Sequence, residues 1–351
     1  MNILVVKLSA IGDVIHTLPS LAALRRAFPQ AHITWLVEEA AAEIILDHPD
    51  LNLVLISQRK TWMKKMKEGR VRESLREIKD FIFLLRERKF DLVIDFHGLF
   101  KSAFLVFLSR GGRKIGYDSY QELSGFFYRE KIKEDMHKHA VDRYLDFLTY
   151  LGVDDGKPEF KIATGEKNKE KIQRLLAEDH VRGPFIVINP VAYWETKLWD
   201  DERFAALCDR LGEEYPLLPV ILTGQHSPSL EKIRSLCHRS DVVNWEEKTT
   251  LKDLAELYQR AALLITTDSG PMHLAAAVGT PVVALFGPTN PLRTGPYGSG
   301  HVVIQEPLSC VPCFLKKCDK MTCMKGITVD AVMQGVARVF NGELSNFTAG
   351  T

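Results

Sequence analysis

Residues 267–277, with the sequence TDSGPMHLAAA, and residues 279–289, with the sequence GTPVVALFGPT, decide the fold. The largely apolar residues 262–266 precede them. The pattern is therefore a buried strand, a polar turn, a helix of small residues and a second buried strand that leads into a Gly-Pro loop. Strand, helix and strand in this order predict a parallel βαβ unit.

The polar turn inside this stretch predicts an anion site. Its backbone N–H groups and the positive end of the helix dipole point at one spot, where Ser269 and His273 can add side-chain donors. A diphosphate would suit such a spot. The alternative is a plain strand-to-helix connection in which Gly270 and Pro271 only make the turn.

Composition sets the broad class of protein. The chain has 351 residues, of which 46% are hydrophobic and 26% charged, which is typical of a globular protein with room for two domains. A net charge of +1 argues against a general nucleic-acid binder. No apolar run reaches the roughly 18 residues of a spanning helix, and the N-terminus opens into a strand without the features of a signal peptide. We therefore expect a cytoplasmic protein with reduced cysteines.

The remainder of the chain repeats the alternation of strands and helices. In the first half we predict strands at 3–6, 33–37, 53–56 and 92–95, and helices at 14–28, 40–46, 71–88 and 101–108. A polar stretch at 152–183 interrupts the pattern, and strands resume at 185–189, 220–223, 241–243, 263–266 and 282–286. This predicts two doubly wound α/β domains in tandem, with ligands at the carboxyl ends of the strands.

The first turn between a strand and a helix, KLSAIGD at 7–13, lacks the glycines of a dinucleotide-binding fingerprint. Instead it places the carboxylate of Asp13 at the start of a helix. Such an aspartate is usually a helix cap, although a cap can also face a ligand. A nicotinamide cofactor is therefore not expected, and we expect no cofactor of any other kind.

Five motifs occur in one order: VVKLSAIGDVIHTLP at 5–19, VIDFHGLFKSA at 93–103, HAVDR at 139–143, TKLW at 196–199 and DSGPMH at 268–273. Together they resemble the bacterial lipopolysaccharide heptosyltransferases of glycosyltransferase family 9. The first two motifs are most similar to heptosyltransferase I. The resemblance implies a GT-B fold, in which two Rossmann-like domains face a central cleft. It also implies an inverting, metal-independent transfer from ADP-heptose to the inner Kdo of Kdo-lipid A.

The same resemblance implies how the chain is organised. An acceptor-binding domain would span 1–160 and an ADP-sugar-binding domain 161–325, with a C-terminal helix and tail at 326–351 that packs back on the first domain. We expect a monomer on the inner face of the inner membrane, bound peripherally to its anionic surface.

Site residues also follow from the resemblance, which makes Asp13 the general base. The donor-binding set is Thr196, Lys197, Asp268, Ser269, Gly270, Met272 and His273. Chemistry favours these roles, because an inverting transfer needs a carboxylate to take the proton of the acceptor hydroxyl. A departing ADP also needs a lysine and helix-terminal N–H groups when no metal is bound. Open alternatives are a sugar contact or a helix cap for Asp268, a solvated surface position for Lys197 and a buried, satisfied ring for His273.

A basic stretch of the sequence bears on the partners of this protein. The residues between Arg59 and Lys89 include twelve basic and five acidic side chains, with Trp62, Met63 and Met66 among the first of them. This stretch is either a solvated helix face or an amphipathic segment for an anionic lipid surface. The acceptor-binding residues we expect, within it and elsewhere, are Ser9, Arg59, Lys60, Lys64 and Lys101.

Four cysteines near the C-terminus have metal-ligand spacing, C-x₂-C-x₄-C-x₄-C. A structural zinc or iron–sulfur site is one reading of them, and the absence of any metal is the other. We expect no catalytic metal. The four residues are Cys310, Cys313, Cys318 and Cys323.

Other functions remain open at this point. A heptosyltransferase of type II or III would act on a core that already carries heptose. A nucleotide-sugar epimerase can share the two-domain architecture, and a non-catalytic binding protein could retain only the donor site. Asp13 favours transfer over binding alone, and the basic segment favours a large anionic acceptor over epimerisation.

Overall fold

The computed structural model describes residues 1–118, 121–154, 156–225 and 227–342. The chain divides into two compact units, Met1–Ala163 and Thr164–Thr351. The last part of the expected C-terminal tail, 343–351, lies outside the described residues.

The first unit is a parallel six-stranded sheet in the order β3-β2-β1-β4-β5-β6. Its strands are β1 (Asn2–Val6), β2 (His32–Glu38), β3 (Leu53–Ser57), β4 (Lys89–Asp95), β5 (Arg110–Tyr117) and β6 (Glu130–Ile132). Its helices are α1 (Ile11–Ala27), α2 (Glu39–Ile45), α3 (Arg59–Lys67), α4 (Val71–Glu87), α5 (Phe100–Leu108) and α6 (Ala140–Tyr150), with a 3₁₀ helix at Gln121–Phe127.

One face of the first sheet is covered by α3, α4 and α5. Buried side chains of these helices share a core cluster with strand residues such as Leu4 and Val6. Trp62 of α3 contributes to this cluster, and its ring centroid lies 5.2 Å from that of Phe81 of α4. The interpretation of this stretch as an amphipathic segment that offers Trp62 to a lipid surface is therefore wrong, because Trp62 packs on the sheet.

The second unit is a parallel six-stranded sheet in the order β12-β11-β10-β7-β8-β9. Its strands are β7 (Ile186–Asn189), β8 (Val220–Gly224), β9 (Val242–Glu246), β10 (Leu263–Thr267), β11 (Val282–Phe286) and β12 (His301–Gln305). Its helices are α7 (Glu166–Glu178), α8 (Asp201–Glu214), α9 (Pro228–Leu236), α10 (Leu251–Arg260), α11 (Gly270–Ala277), α12 (Pro291–Thr294), α13 (Thr322–Gly326) and α14 (Val329–Phe340), with a 3₁₀ helix at Glu195–Lys197. The C-terminal helix α14 packs against α8, β11 and β12.

Both sheets have the same topology, counted from the first strand of each unit. The strand order is third, second, first, fourth, fifth, sixth, and it reverses between β1 and β4 in the first sheet and between β7 and β10 in the second. Ligands of doubly wound sheets bind beyond the carboxyl ends of the strands at such a reversal. The predicted α/β class is confirmed. None of the described helices is long and apolar enough to cross a membrane.

Candidate active site

Asp13 lies in the first turn of α1, directly beyond the end of β1 and therefore at the reversal of the first sheet. Its Oδ2 accepts a hydrogen bond of 3.0 Å from the backbone N–H of Ala10. This bond satisfies one of the N–H groups that a helix start leaves without a partner in the helix. Asp13 is thus a helix cap, but 39% of its side chain is exposed. The cap leaves the carboxylate accessible.

A buried lysine and a tyrosine hold the other oxygen of this carboxylate. The Tyr144 hydroxyl of α6 donates to Asp13 Oδ1 at 3.0 Å, and Lys7 Nζ lies 3.7 Å from the same atom. Lys7 also donates to the Tyr144 oxygen at 2.5 Å and to the carbonyl of Phe96 at 2.9 Å. Only 4% of the Lys7 side chain is exposed. Lysine, tyrosine and aspartate therefore form a chain of polar contacts that ends at an accessible carboxylate.

These contacts keep Asp13 ionised. Burial raises the pKa of Asp13, but the charge of Lys7, the Ala10 N–H and the Tyr144 hydroxyl together outweigh it and hold that pKa below its usual value. Burial lowers the pKa of Lys7, against the opposing charges of Asp13 and Asp95. The result at neutral pH is a charged carboxylate aimed outward from the end of β1, which can accept a proton or a hydrogen bond.

The turn beyond β4 flanks the same reversal. Asp95, fully buried, accepts from the N–H groups of His97 and Gly98 at 2.8 and 3.2 Å and from the Tyr128 hydroxyl at 2.7 Å. Gly98 has φ +70°, a left-handed conformation that favours glycine. Burial, together with the charges of Lys7 and Lys101, lowers the pKa of His97 to about 3. Asp95 therefore shapes the turn, and His97 is neutral at physiological pH.

Three of the expected acceptor residues lie in one cluster: Arg59 and Lys101 contact the carboxylate of Glu38, and Ser9 contacts Lys101. Lys101 Nζ donates to Ser9 Oγ at 2.9 Å and lies 3.4 Å from Glu38 Oε1. Arg59 Nε lies 3.1 Å from the same Glu38 oxygen. Glu38 is buried, so this group is a fixed cluster of two cations around one anion.

The other two expected acceptor residues lie elsewhere on α3. Lys60 and Lys64 are exposed, and Lys64 makes a loose pair with Glu68 at 3.9 Å. The structure does not bring them into the cluster at Glu38.

In the second unit, Lys197 and Asp268 meet at the sheet reversal. Lys197 Nζ lies 2.6 Å from Asp268 Oδ2, and the Thr289 hydroxyl donates to the same oxygen at 2.6 Å. The exposed fractions are 15% for the Lys197 side chain and 5% for that of Asp268. The Lys197 ammonium also lies 4.6 Å from the centroid of the Trp194 ring. Lys197 is thus not a solvated surface lysine.

The helix start after β10 is not capped by a side chain. Ser269 is the N-cap residue of α11, and no side-chain hydrogen bond closes this end, so Asp268 does not cap the helix. The Ser269 hydroxyl lies 3.4 Å from that of Thr266, and Gly270 begins the helix. Met272 is fully buried and His273 almost so. The Met272 side chain is therefore part of the core rather than of an open site.

Thr196 and the cysteine-bearing segment are joined. The Thr196 hydroxyl donates to the carbonyl of Leu315 at 2.7 Å, while the N–H groups of Cys313 and Phe314 donate to the carbonyl of Pro288 at 3.0 and 2.9 Å. Thr196 therefore anchors the loop that carries Lys197. The six cysteines are all unbridged, and within the described ranges no group of three or more His, Cys, Asp or Glu could hold a metal ion.

Sequence reasoning assigned no role to Lys7, Glu38 or Tyr144. Lys7 could have been found, because a lysine that follows a buried strand six residues before the aspartate lies at the same sheet edge. Glu38 ends β2 in the same way. Tyr144 is 131 residues from Asp13 and comes from a helix, and no local pattern links the two.

Comparison with known proteins decides the family. The model of "Glycosyltransferase family 9 (heptosyltransferase)" matches residues 79–324. The chain belongs to this family. It is also 32% identical over 321 residues to lipopolysaccharide heptosyltransferase 1 of Pseudomonas aeruginosa, covering 91% of this chain and 87% of that protein. The chain is therefore an enzyme, a glycosyltransferase, as its motifs predicted.

Solved structures of family members agree over nearly the whole chain. The Escherichia coli heptosyltransferase WaaC with ADP aligns with a TM-score of 0.79 at 26% identity, covering 97% of this chain and 100% of that one. A family 9 glycosyltransferase from Veillonella parvula gives a TM-score of 0.78 at 26% identity, with 97% coverage of both chains. The fold is GT-B, as expected.

A further likeness explains why the fold alone does not decide the function. A UDP-GlcNAc 2-epimerase from Neisseria meningitidis aligns with a TM-score of 0.53 at 13% identity, covering 97% of this chain and 92% of that one. This likeness concerns the fold only. The family match, not the architecture, favours transfer over epimerisation.

Proposed function

We propose that this heptosyltransferase moves heptose from ADP-L-glycero-β-D-manno-heptose to the inner Kdo of Kdo-lipid A, with inversion and without a catalytic metal. One observation carries the proposal most: Asp13 is an accessible carboxylate that a buried lysine keeps ionised. A general base for a sugar hydroxyl needs both properties. The similarity to lipopolysaccharide heptosyltransferase 1 supports the choice of donor and acceptor.

The acceptor belongs with the first unit in this proposal. Asp13 takes the proton of the acceptor hydroxyl as that oxygen attacks the anomeric carbon of heptose from the face opposite the leaving group. The cations of Arg59 and Lys101 lie around Glu38 and near Ser9, where carboxylates of a Kdo residue would find partners. Lys60 and Lys64, exposed on α3, would contact more distant acidic groups of the acceptor.

The donor belongs with the second unit. As the glycosidic bond breaks, negative charge grows on the diphosphate, and Lys197 is the cation at the sheet reversal that can stabilise it. The N–H groups at the start of α11, near Ser269 and Gly270, add a second source of positive potential. Asp268 holds the Lys197 ammonium in place. The carboxylate of Asp268 remains available to bind a sugar hydroxyl. His273 is nearly buried on the same helix.

The cellular setting follows from the acceptor. Kdo-lipid A is a membrane lipid, so we propose a cytoplasmic enzyme that works as a monomer at the inner face of the inner membrane. We also propose that residues 1–160 bind the acceptor and that residues 161–325 bind the donor. Residues 326–351 form a C-terminal extension.

The test is a transfer assay with two acceptors. The protein is incubated with ADP-heptose and either Kdo₂-lipid A or a core that already carries one heptose, with EDTA present, and the products are weighed by mass spectrometry. We expect one heptose added to Kdo₂-lipid A only, with an α linkage by NMR. Transfer only to the heptosylated core would assign the type II or III reaction, and loss of activity in EDTA would contradict metal independence.

Donor identity has a separate test in ligand stabilisation. ADP at about 100 times its dissociation constant should stabilise the protein by about 2.7 kcal/mol, and UDP or GDP at the same concentration by clearly less. Equal stabilisation by UDP would remove the support for an ADP-sugar donor.

A further inference from the structure

Five phenylalanine side chains are exposed on the helical layer of the first unit. Phe83 of α4 and Phe126 of the 3₁₀ helix are each 73% exposed, and Phe107 of α5 is 60% exposed. Contiguous exposed apolar surface in a monomeric protein marks an interaction site. We call these five side chains the aromatic face: Phe83, Phe100, Phe104, Phe107 and Phe126.

The aromatic face is built by helix geometry. Phe100, Phe104 and Phe107 are spaced by four and three residues, so they form one stripe along α5, and the opposite side of the helix is buried. The rings of Phe100 and Phe104 are stacked with centroids 6.2 Å apart. Phe127 supports Phe100 and Phe107 from beneath, with centroid distances of 5.8 and 5.9 Å. Contacts with neighbouring rings therefore fix the positions of these exposed side chains.

Basic side chains surround this face. On α4, the helical spacing puts four cations on the same side as Phe83, where they outnumber the two carboxylates of Asp80 and Glu87. Glu73 and Glu77 lie further round the helix and pair with Lys65 at 2.9 and 2.5 Å. Three more cations lie on and beyond β5. Within the described part of the chain, none of these seven has a carboxylate partner. We call this set the basic rim: Arg72, Arg76, Lys79, Arg86, Arg110, Lys114 and Arg129.

The basic rim reaches the end of the aromatic stripe. Arg86 donates to the carbonyl of Leu108, and Lys114 donates to the carbonyls of Val106 and Phe107, all at the C-terminal end of α5. Burial, and then the like charges of Arg129 and Arg86, lower the pKa of Lys114. Several positive charges are thus held close together beside exposed phenylalanines, an arrangement that a negatively charged surface would stabilise.

We propose that the aromatic face and the basic rim together form a docking surface for an anionic lipid bilayer. The phenylalanines enter the boundary between headgroups and acyl chains, and the rim binds lipid phosphates. A second copy of this chain fits less well, because a symmetric interface would bring two basic rims together. The surface is also continuous with the proposed acceptor side, since Lys101 lies on α5 and binds Ser9.

The docking surface proposed here does not include α3, which the sequence analysis considered as a lipid-binding segment. The Trp62 side chain is in the core, and Lys65 is paired with two glutamates. The proposal rests on the proposed function only in that a lipid-linked acceptor gives the docking surface a use.

The test measures binding to vesicles that contain no acceptor. Vesicles of phosphatidylethanolamine and phosphatidylglycerol should sediment the full-length protein, and pure phosphatidylcholine vesicles should not. Phe104→Ser/Phe107→Ser should weaken binding about tenfold or more, and Arg76→Gln/Lys79→Gln should weaken it most at low salt. The matched controls are Leu217→Ser, at a leucine 87% exposed in the second unit, and Lys167→Gln/Arg182→Gln. These controls should bind as the unchanged protein does.

Three outcomes would overturn the docking surface: no binding of the unchanged protein to anionic vesicles, unchanged binding of the Phe104 and Phe107 variant, or a self-association that this variant abolishes. Transfer to a soluble, lipid-free Kdo acceptor should remain normal in both surface variants. If the unchanged protein binds vesicles but transfers no heptose, the proposed function fails and the docking surface stands.

Discussion

The two sheet reversals have the same strand order and opposite charge arrangements. At the first, a lysine is buried and its carboxylate partner is accessible, with exposed fractions of 4% for Lys7 and 39% for Asp13. At the second, the carboxylate is the more buried partner, at 5% for Asp268 against 15% for Lys197. The first pair is separated by 3.7 Å and the second by 2.6 Å. Each unit thus presents the charge that its proposed half of the reaction requires.

The difference shows what the buried partner contributes. A buried counter-charge holds its neighbour in position, and in the first pair the charge of Lys7 also lowers the pKa of Asp13. The more exposed neighbour is left to meet a substrate. In the first unit the more exposed group is an anion, which accepts a proton in the proposed reaction. In the second unit it is a cation, which meets a growing negative charge in the proposed reaction. The same topology therefore supports two kinds of chemistry.

The largest expected effect is at Asp13. Asp13→Asn keeps the size of the side chain and most of its ability to cap α1, but it removes the proton acceptor. We expect turnover to fall by about 10²–10⁴-fold with ADP binding nearly unchanged. Stability should fall by less than the ~1 kcal/mol of a lost cap. Turnover above a tenth of the original rate would assign Asp13 to capping alone.

The second unit should respond to loss of its cation. Lys197→Met should lower turnover by about 10²-fold and reduce donor affinity less, because charge on the diphosphate is greatest in the transition state. It should also reduce thermal stability, since Asp268 is left buried without its partner. The double variant Lys197→Met/Asp268→Asn should recover stability and not turnover. Recovery of both would make the pair purely structural.

Lys7 and Tyr144 should control the pH dependence of the first unit. Both lower the pKa of Asp13, so Lys7→Met should raise that pKa and move the acidic limb of the kcat profile to higher pH. Tyr144→Phe should move the limb in the same direction by a smaller amount, because the Tyr144 hydrogen bond lowers the pKa of Asp13 less than the charge of Lys7 does. An unmoved limb in both variants would mean that Asp13 is not the titrating group.

Two histidines, one in each unit, should make the fold sensitive to acid. Burial is the largest cause that lowers the pKa of His97 to about 3 and that of His301 to about 4, against about 6.5 in an unfolded chain. Below pH 6.5 the unfolded chain binds more protons, so each histidine lowers stability as pH falls toward its folded pKa. At pH 5 the loss is about 2 kcal/mol for each.

Calorimetry at pH 7.5 and pH 5 checks this. His97→Gln and His301→Gln should each reduce the difference in Tm between the two pH values, and the double variant should reduce it most. A pH dependence unchanged in both single variants would contradict the assignment.

The sequence predicted the sheets well because strands buried on both faces are continuous apolar runs, as in β7, β10 and β11. It missed β5, whose sequence RGGRKIGY is polar and rich in glycine, although β5 pairs with β4 along most of its length. It missed β12 and the short β6 as well. Hydrophobic pattern does not reveal a strand such as β5, whose first five residues contain no apolar side chain.

The site, like the sheets, contains residues that the sequence predicted and contacts that it did not predict. Asp13 and Asp268 each follow an apolar strand, at the edge where a parallel sheet collects its functional groups, and the family resemblance selected both of them together with Lys197. Contacts made by side chains of distant helices could not be found in this way. Glu38 gathers Arg59 and Lys101 from two different helices, and Tyr144 reaches Asp13 from α6. Only the folded chain brings such residues within hydrogen-bond distance.

The hydrogen bond from Thr196 to Leu315 has a mechanical consequence. It ties the loop that carries Lys197 to the segment between Cys310 and Cys323, and the bonds of Cys313 and Phe314 to Pro288 tie that segment to the loop beyond β11. We therefore expect that oxidation, alkylation or metal binding at these thiols would shift the position of Lys197, because the carbonyl of Leu315 is bonded to Thr196 in the loop that carries the lysine. The cysteine segment is therefore connected to the lysine of the proposed donor site.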